Sequence, residues 1–123
     1  MSAIPPDQNR FGAARRYSEQ VLGGPTNETD KTVSLASAGR IVEFNPDRVG
    51  LIIVNLGSAD LMVAPDSGVS STFGVRLGAN GGNTSLNVTE DFTLVAHDWW
   101  GFPLSGTVTV YVIEYVRFST YNQ

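Results

Sequence analysis

From Lys31 onward the chain alternates apolar and polar residues in short runs closed by glycine, proline, asparagine or aspartate, a period of two that predicts strand after strand. The expected strands are residues 32–37, 40–44, 49–56, 61–64, 73–77, 84–88, 92–99 and 107–118. Ala38-Gly39 reads as a tight turn between the first two. Asn45-Pro46-Asp47 stops the second, because Pro46 has no N–H to donate and Asp47 favours turns. Residues 49–56 are nearly all apolar and read as a central strand buried on both faces. Gly57-Ser58-Ala59-Asp60 then turns the chain into residues 61–64, expected as the hairpin partner of the preceding strand. Residues 78–82 hold three glycines and an Asn-Gly pair suited to positive φ, and Gly101-Phe102-Pro103 is expected to end the strand over 92–99.

The last strand is the longest. Val108, Val110, Val112, Val116 and Phe118 share one face, interrupted by Glu114, while Tyr111, Ile113 and Tyr115 share the other with Thr107, Thr109 and Arg117. One side is dry and the other amphipathic. A monomer would leave Tyr111, Ile113 and Tyr115 in water, so this second face is expected to mediate self-association. With no long helical pattern inside, the fold class is all-β. It is a β-sandwich or jelly roll of about eight antiparallel strands with an extended N-terminal arm. The missing alternation of strand and helix removes the α/β enzyme folds.

Residues 1–30 differ. Pro5, Pro6, Gly12, Gly23, Gly24 and Pro25 break them up, and large apolar residues are few. They are expected to form an arm, with the sandwich domain over residues 31–123. Ala14, Tyr17, Val21 and Leu22 have roughly helical spacing, which predicts a short helix over 13–22 that is marginal alone. A solvated tail is one reading of this segment. Phe11, Tyr17, Val21 and Leu22 fit better an arm that orders on a partner. Arg10, Arg15 and Arg16 stand within seven positions. They read either as a solvated basic face offset by Asp7 and Glu19, or as forked contacts to an acidic partner surface.

The 123 residues allow one core, and 16% charged with 41% hydrophobic residues argue against disorder throughout. A net charge of -4 disfavours a nucleic-acid partner. With no cysteine, neither a disulfide framework nor a thiolate metal site is available. Met1–Ile4 runs into Pro5-Pro6-Asp7 with no apolar stretch behind a basic end. No secretory signal and no membrane span are therefore expected, and synthesis in a cytoplasm is.

Candidate chemistry is thin. His97 is the only histidine, and in a strand its neighbour Asp98 points to the opposite face, poorly placed to orient it as a catalytic base. No Gly-x-Ser-x-Gly elbow is present, and one histidine without cysteine cannot supply the usual zinc set. Glu90-Asp91, or Asp60 with Asp66, offer oxygens for calcium but lack the loop spacing. The glycine loop at 78–82 lacks the following Lys-Ser/Thr of a phosphate cradle and reads as a hairpin turn. No enzyme activity, cofactor or metal is expected. Trp99, Trp100 and Phe102 are the densest aromatic cluster. Alternation can bury one tryptophan and leave the other at the rim, or Trp100 can serve as an interface anchor or sugar-stacking ring.

Residues 47–65 open with Asp47-Arg48, continue through the apolar run 49–54, and reach Asn55-Leu56-Gly57, a turn, and a short strand closed by Pro65. This stretch resembles a pattern common in small virion proteins of tailed bacteriophages. Gly74-Val75-Arg76-Leu77 and the glycine loop at 78–82 continue the similarity, which spans about residues 47–116. The resemblance implies a β-rich, non-enzymatic virion structural protein of the capsid decoration (cement) type. Its partner would be the major capsid protein, whose subunits it would bridge, and its oligomer a trimer, since such proteins sit at threefold positions. Their arms lie across neighbouring capsid subunits. On this reading the partner-binding residues are Arg10, Phe11, Arg15, Arg16, Tyr17, Trp100, Tyr111 and Tyr115. The alternative is a carbohydrate- or receptor-binding β-sandwich module of a phage tail or head fibre, using the tryptophan cluster.

Overall fold

A computed structural model describes residues 26–117. They form eight strands: β1 (Thr26–Leu35), β2 (Gly39–Val42), β3 (Arg48–Asn55), β4 (Leu61–Ala64), β5 (Val75–Leu77), β6 (Asn83–Asn87), β7 (Trp99–Pro103) and β8 (Val108–Arg117). A single α-turn, α1 (Val88–Asp91), and a 3-10 turn over Phe92–Ala96 lie between β6 and β7. The strands make two four-stranded sheets, β1-β8-β3-β6 and β2-β7-β4-β5, and all the strand pairings are antiparallel. The fold is an all-β sandwich, as the alternation predicts.

The core lies between the sheets. Leu51 and Ile53 of β3, Leu61 and Val63 of β4, Ile41 and Val42 of β2, and Val108, Val110 and Val112 of β8 are fully buried or nearly so. They follow the period-two pattern except in β2, where Ile41 and Val42 are adjacent and both buried at a register shift between Arg40 and Val42, and each buried valine or leucine contributes about 1.5–3 kcal/mol of transfer free energy. Gly101 sits in mid-strand because a Cβ there would come within 2.7 Å of Leu35 Cδ1 and 2.9 Å of Ile41 Cδ1.

Four local expectations change. Residues 92–99 are not a strand. Asn87 caps α1, its Oδ1 accepting from the Glu90 N–H at 2.9 Å and from Thr89 Oγ1–H at 2.7 Å, while Asp91 Oδ2 accepts from the Asn87 N–H at 2.9 Å. The cap commits the chain to a helical turn, and the strand forms later, over Trp99–Pro103, through the glycine and proline that read as its end. The second change concerns β3 and β4, which form no hairpin and belong to different sheets. The third is the glycine loop at 78–82, which also crosses between sheets rather than closing a hairpin, since β5 and β6 lie in opposite ones. Its positive φ values fall at Asn80 (61°) and Gly81 (118°). Last, β1 begins at Thr26 and so takes in the last five residues of the segment read as arm. Residues 27–32 are exposed on both faces, so this edge strand carries no apolar alternation to announce it. The helix expected over 13–22 lies outside the described residues.

Candidate interaction surface

The two ends of β3 are pinned by the only buried polar side chains among the described residues, Arg48 and Asn55. Arg48 is 2% exposed. Its Nε donates to Glu114 Oε1 at 2.8 Å and its Nη2 lies 2.7 Å from the same oxygen. Nη1 donates to the carbonyls of Val95 (3.1 Å) and His97 (3.0 Å), and Nη2 to that of Glu43. This explains the carboxylate that interrupts the dry face of β8: Glu114 points inward to meet the guanidinium. Burial of the charge is tolerable because it is paired and its N–H groups have acceptors.

At the other end, Asn55 Nδ2 donates to the carbonyls of Ala59 (2.9 Å), Leu77 (3.1 Å) and Gly78 (3.2 Å), and Oδ1 accepts from the Gly57 N–H at 2.9 Å. Gly57 itself is squeezed, since a Cβ would lie 3.1 Å from the Val108 Cα. The side chain thus folds the crossing from β3 to β4 around itself, which is why no hairpin forms. The Arg…Asn-x-Gly pattern of residues 48–57 is therefore occupied with building the fold.

The glycine loop is occupied in the same way. The N–H groups of Ala79, Asn80, Gly81 and Gly82 donate to Asp60 Oδ1 and to the carbonyls of Gly57, Asn55 and Gly78. None of these four is left to cradle a phosphate. Asp60 also pairs with Arg76 at 2.6 Å. The Arg76 hydrogen bond, then the Ala79 N–H, holds its carboxyl below the ordinary range. Asp66 Oδ1 accepts from the Gly68 N–H.

The tryptophans divide as alternation allows. Trp99 is 5% exposed in the core, with Nε1 donating to the Leu94 carbonyl at 3.0 Å. Trp100 is half-buried on the outer face of the β2-β7-β4-β5 sheet. It joins Phe102 and Leu104 in packing against Met62, Ala64 and Val69. The Arg40 guanidinium lies over its ring, 5.1 Å from the centroid, where a sugar would stack. Asp98 Oδ2 accepts from Trp100 Nε1 at 3.0 Å, so this carboxylate serves the tryptophan; His97 is exposed.

The outer face of the other sheet is different. Register places Tyr111, Ile113 and Tyr115 of β8 beside Val54, Ile52 and Gly50 of β3. The Tyr115 ring fills the space over Gly50, where a Cβ would lie 3.1 Å from Cδ2. On the flank toward β1, Glu28 and Asp30 stand opposite Tyr115 and Ile113; toward β6 the flank is Asn83, Ser85 and Asn87. Tyr111 donates to Asp30 Oδ2 at 2.7 Å, and that bond, first among the causes, raises the phenol above its ordinary value. Five apolar or aromatic side chains rimmed by polar ones have the make-up of an interface centre. Residues 49–56, read as buried on both faces, are buried on one: Leu51, Ile53 and Asn55 are covered and Ile52 and Val54 only partly.

At the end of this sheet a cleft of about 580 Å³ opens, lined by Val49, Val88, Phe92, Val95 and Arg117 among others. Phe92 is 72% exposed and holds φ 54°, an unusual backbone for a bulky residue. The strand expected over 92–99 hides this site in the sequence, because Phe92–Ala96, which form the 3-10 turn beside it, alternate like a strand. Of the residues named from sequence, Tyr111 and Tyr115 share one surface and Trp100 lies on the opposite sheet. Arg10, Phe11, Arg15, Arg16 and Tyr17 lie outside the described residues.

Comparison with known proteins gives fold likenesses only. No family model matches the chain, and no curated protein matches it. Among solved structures, the SPBc2 prophage-derived protein YomS is similar at 14% identity and TM-score 0.48, over 73% of this chain and 94% of that one. A structure of Bacillus endospore appendages, described as a family of disulfide-linked pili, is similar at 8% identity and TM-score 0.41, over 78% and 93%.

Proposed function

We propose that this chain is a non-enzymatic structural protein of a tailed-phage virion, made in the host cytoplasm. In this reading it is a capsid decoration (cement) protein that sits as a trimer on the outer capsid surface and bridges major capsid protein subunits. The observation that carries the reading is the outer face of the β1-β8-β3-β6 sheet, which no other described residue covers. Strand β3 has the composition of a strand covered twice, and the described residues cover it once. A subunit that completes its burial only on assembly adds binding energy to the assembled state alone, which shifts the equilibrium toward that state. The sheet orders 1-8-3-6 and 2-7-4-5 read as the winding of a jelly roll, an architecture shared by capsid and lectin domains; that support is by fold analogy. Arg40 over Trp100 disfavours the sugar-stacking alternative.

The test is to purify virions of the phage whose genome carries this chain, quantify it by mass spectrometry, and image the heads by electron cryo-microscopy. Threefold-related density on the outer head surface is the expected result. Absence from the particles, or density confined to the tail, overturns the reading.

A further inference from the structure

The bare sheet face and the cleft at its end form one track, joined at Arg117, which pairs with Asp47 at 3.2 Å. Tyr111, Ile113 and Tyr115 point outward along β8, and the next outward residue, Arg117, lines the cleft together with Val49 and Phe92. From Val54 back to Gly50 the track runs about 14 Å at strand spacing. Glu28 and Asp30 border it on the β1 side.

We propose that this track is the seat of residues 13–22 of the N-terminal arm of a second copy of the chain, so that copies join head to tail by arm exchange. Charge points to this occupant. Residues 1–25 carry three arginines against two acids, whereas residues 26–117 carry five basic and ten acidic residues. Arg15 and Arg16 would meet the Glu28–Asp30 border, and Tyr17, Val21 and Leu22 the apolar floor. Length agrees as well, since ten residues at helical rise span about 15 Å. The arm joins the sandwich at the cleft end, because Thr26 stands opposite Arg117 in the sheet. A head-to-tail contact of this kind closes into a ring when the rotation allows, and a threefold ring is the oligomer of the assembly reading on which this inference rests.

The experiment mixes two variants of the full chain. One lacks residues 2–22 and keeps the track; the other carries Ile113→Asp and keeps the arm. Sedimentation of the unaltered chain at micromolar concentration should show an oligomer, and each variant alone a monomer. The two mixed should form a one-to-one complex, because an intact arm meets an intact track only across copies. The exposed pair Glu28→Lys with Asp30→Lys reverses the charge of the border and should weaken association about tenfold or more, about 1.4 kcal/mol per tenfold; Tyr111→Phe, which loses the same bond to Asp30 without the charge reversal, is its control and should leave association nearly unchanged. Circular dichroism confirms that each variant is folded; should Ile113→Asp fail to fold, the Glu28/Asp30 variant takes its place in the mixture. An unaltered chain that is monomeric, an arm that seats on its own sheet, or folded variants that do not pair overturn the proposal. A monomer that still decorates heads leaves the capsid reading standing. An arm-joined oligomer that binds no head does the reverse.

Discussion

On the outer face of the β2-β7-β4-β5 sheet, Val69 from the loop after β4 folds onto Met62 and Ala64, and Trp100, Phe102 and Leu104 pack against them. On the outer face of the β1-β8-β3-β6 sheet, Ile52, Val54 and Ile113 carry comparable apolar surface without such a cover among the described residues. Strand β4, four residues long, is buried on both sides, while β3, eight residues long, is buried on one. The apolar character of a strand is a guide to how much cover it receives, and where the described residues supply only half, the proposed function assigns the remainder to a partner. Stability should reside on the covered side and association on the bare one.

The largest expected effect tests the frame that both faces share. Arg48→Ala strands the Glu114 carboxylate and takes the donor from the carbonyls of Glu43, Val95 and His97. It should destabilise the domain by about 3–5 kcal/mol in urea unfolding, the cost of breaking a buried pair from one side. A loss below about 1 kcal/mol would mean that the pair behaves as an exposed one.

Next comes the covered face. Trp100→Ala removes a half-buried ring packed on the Met62 cluster and should cost about 2–3 kcal/mol, somewhat under the figure for a fully buried tryptophan, with association unchanged. Loss of association at unchanged stability would reverse the roles of the two faces.

On the bare face, Ile113→Ser should shift the unfolding free energy by less than about 1 kcal/mol in dilute solution. The oligomer, measured by light scattering, should be lost. Equal effects of this change and of Trp100→Ala on stability would remove the distinction between the faces.

The smallest effect is a titration. Asp30 accepts the Tyr111 hydroxyl and raises its folded pKa above the unfolded value. The contribution of this bond is therefore fully present below the ordinary tyrosine range and is lost as pH rises through the raised value. Absorbance titration should find one tyrosine ionising late, and Asp30→Asn should return it toward the ordinary range.

Much of the fold was legible in the sequence. The inward valines of β8 and the apolar residues of β3 declared a dry face by period two, and Tyr111 with Tyr115 declared a second, wetter surface on the same strand. The turn over residues 87–91 carries a signal too, the Asn87…Glu90 spacing of a helix cap, but the alternation of Phe92, Leu94 and Ala96 that follows points to a strand. Strand β1 before Lys31 was not legible, because an exposed edge held only by backbone pairing to β8 leaves no hydrophobic signature.

Local pattern determined that most of the strands form, which face of β8 is dry, and that one arginine and one asparagine flank the central strand. These are properties of side chains against their own backbone. Only the tertiary structure decided which strands pair, because antiparallel partners far apart in sequence compete on nearly equal terms until a long-range anchor selects among them. Asn55 gathers the carbonyls of Ala59, Leu77 and Gly78 and sends β4 to the opposite sheet. Arg48 reaches Glu114 66 residues away and ties β3 to β8. The uncovered face is a result of that choice: once β3 pairs with β8 and β6, nothing in the described chain lies over Ile52 and Val54.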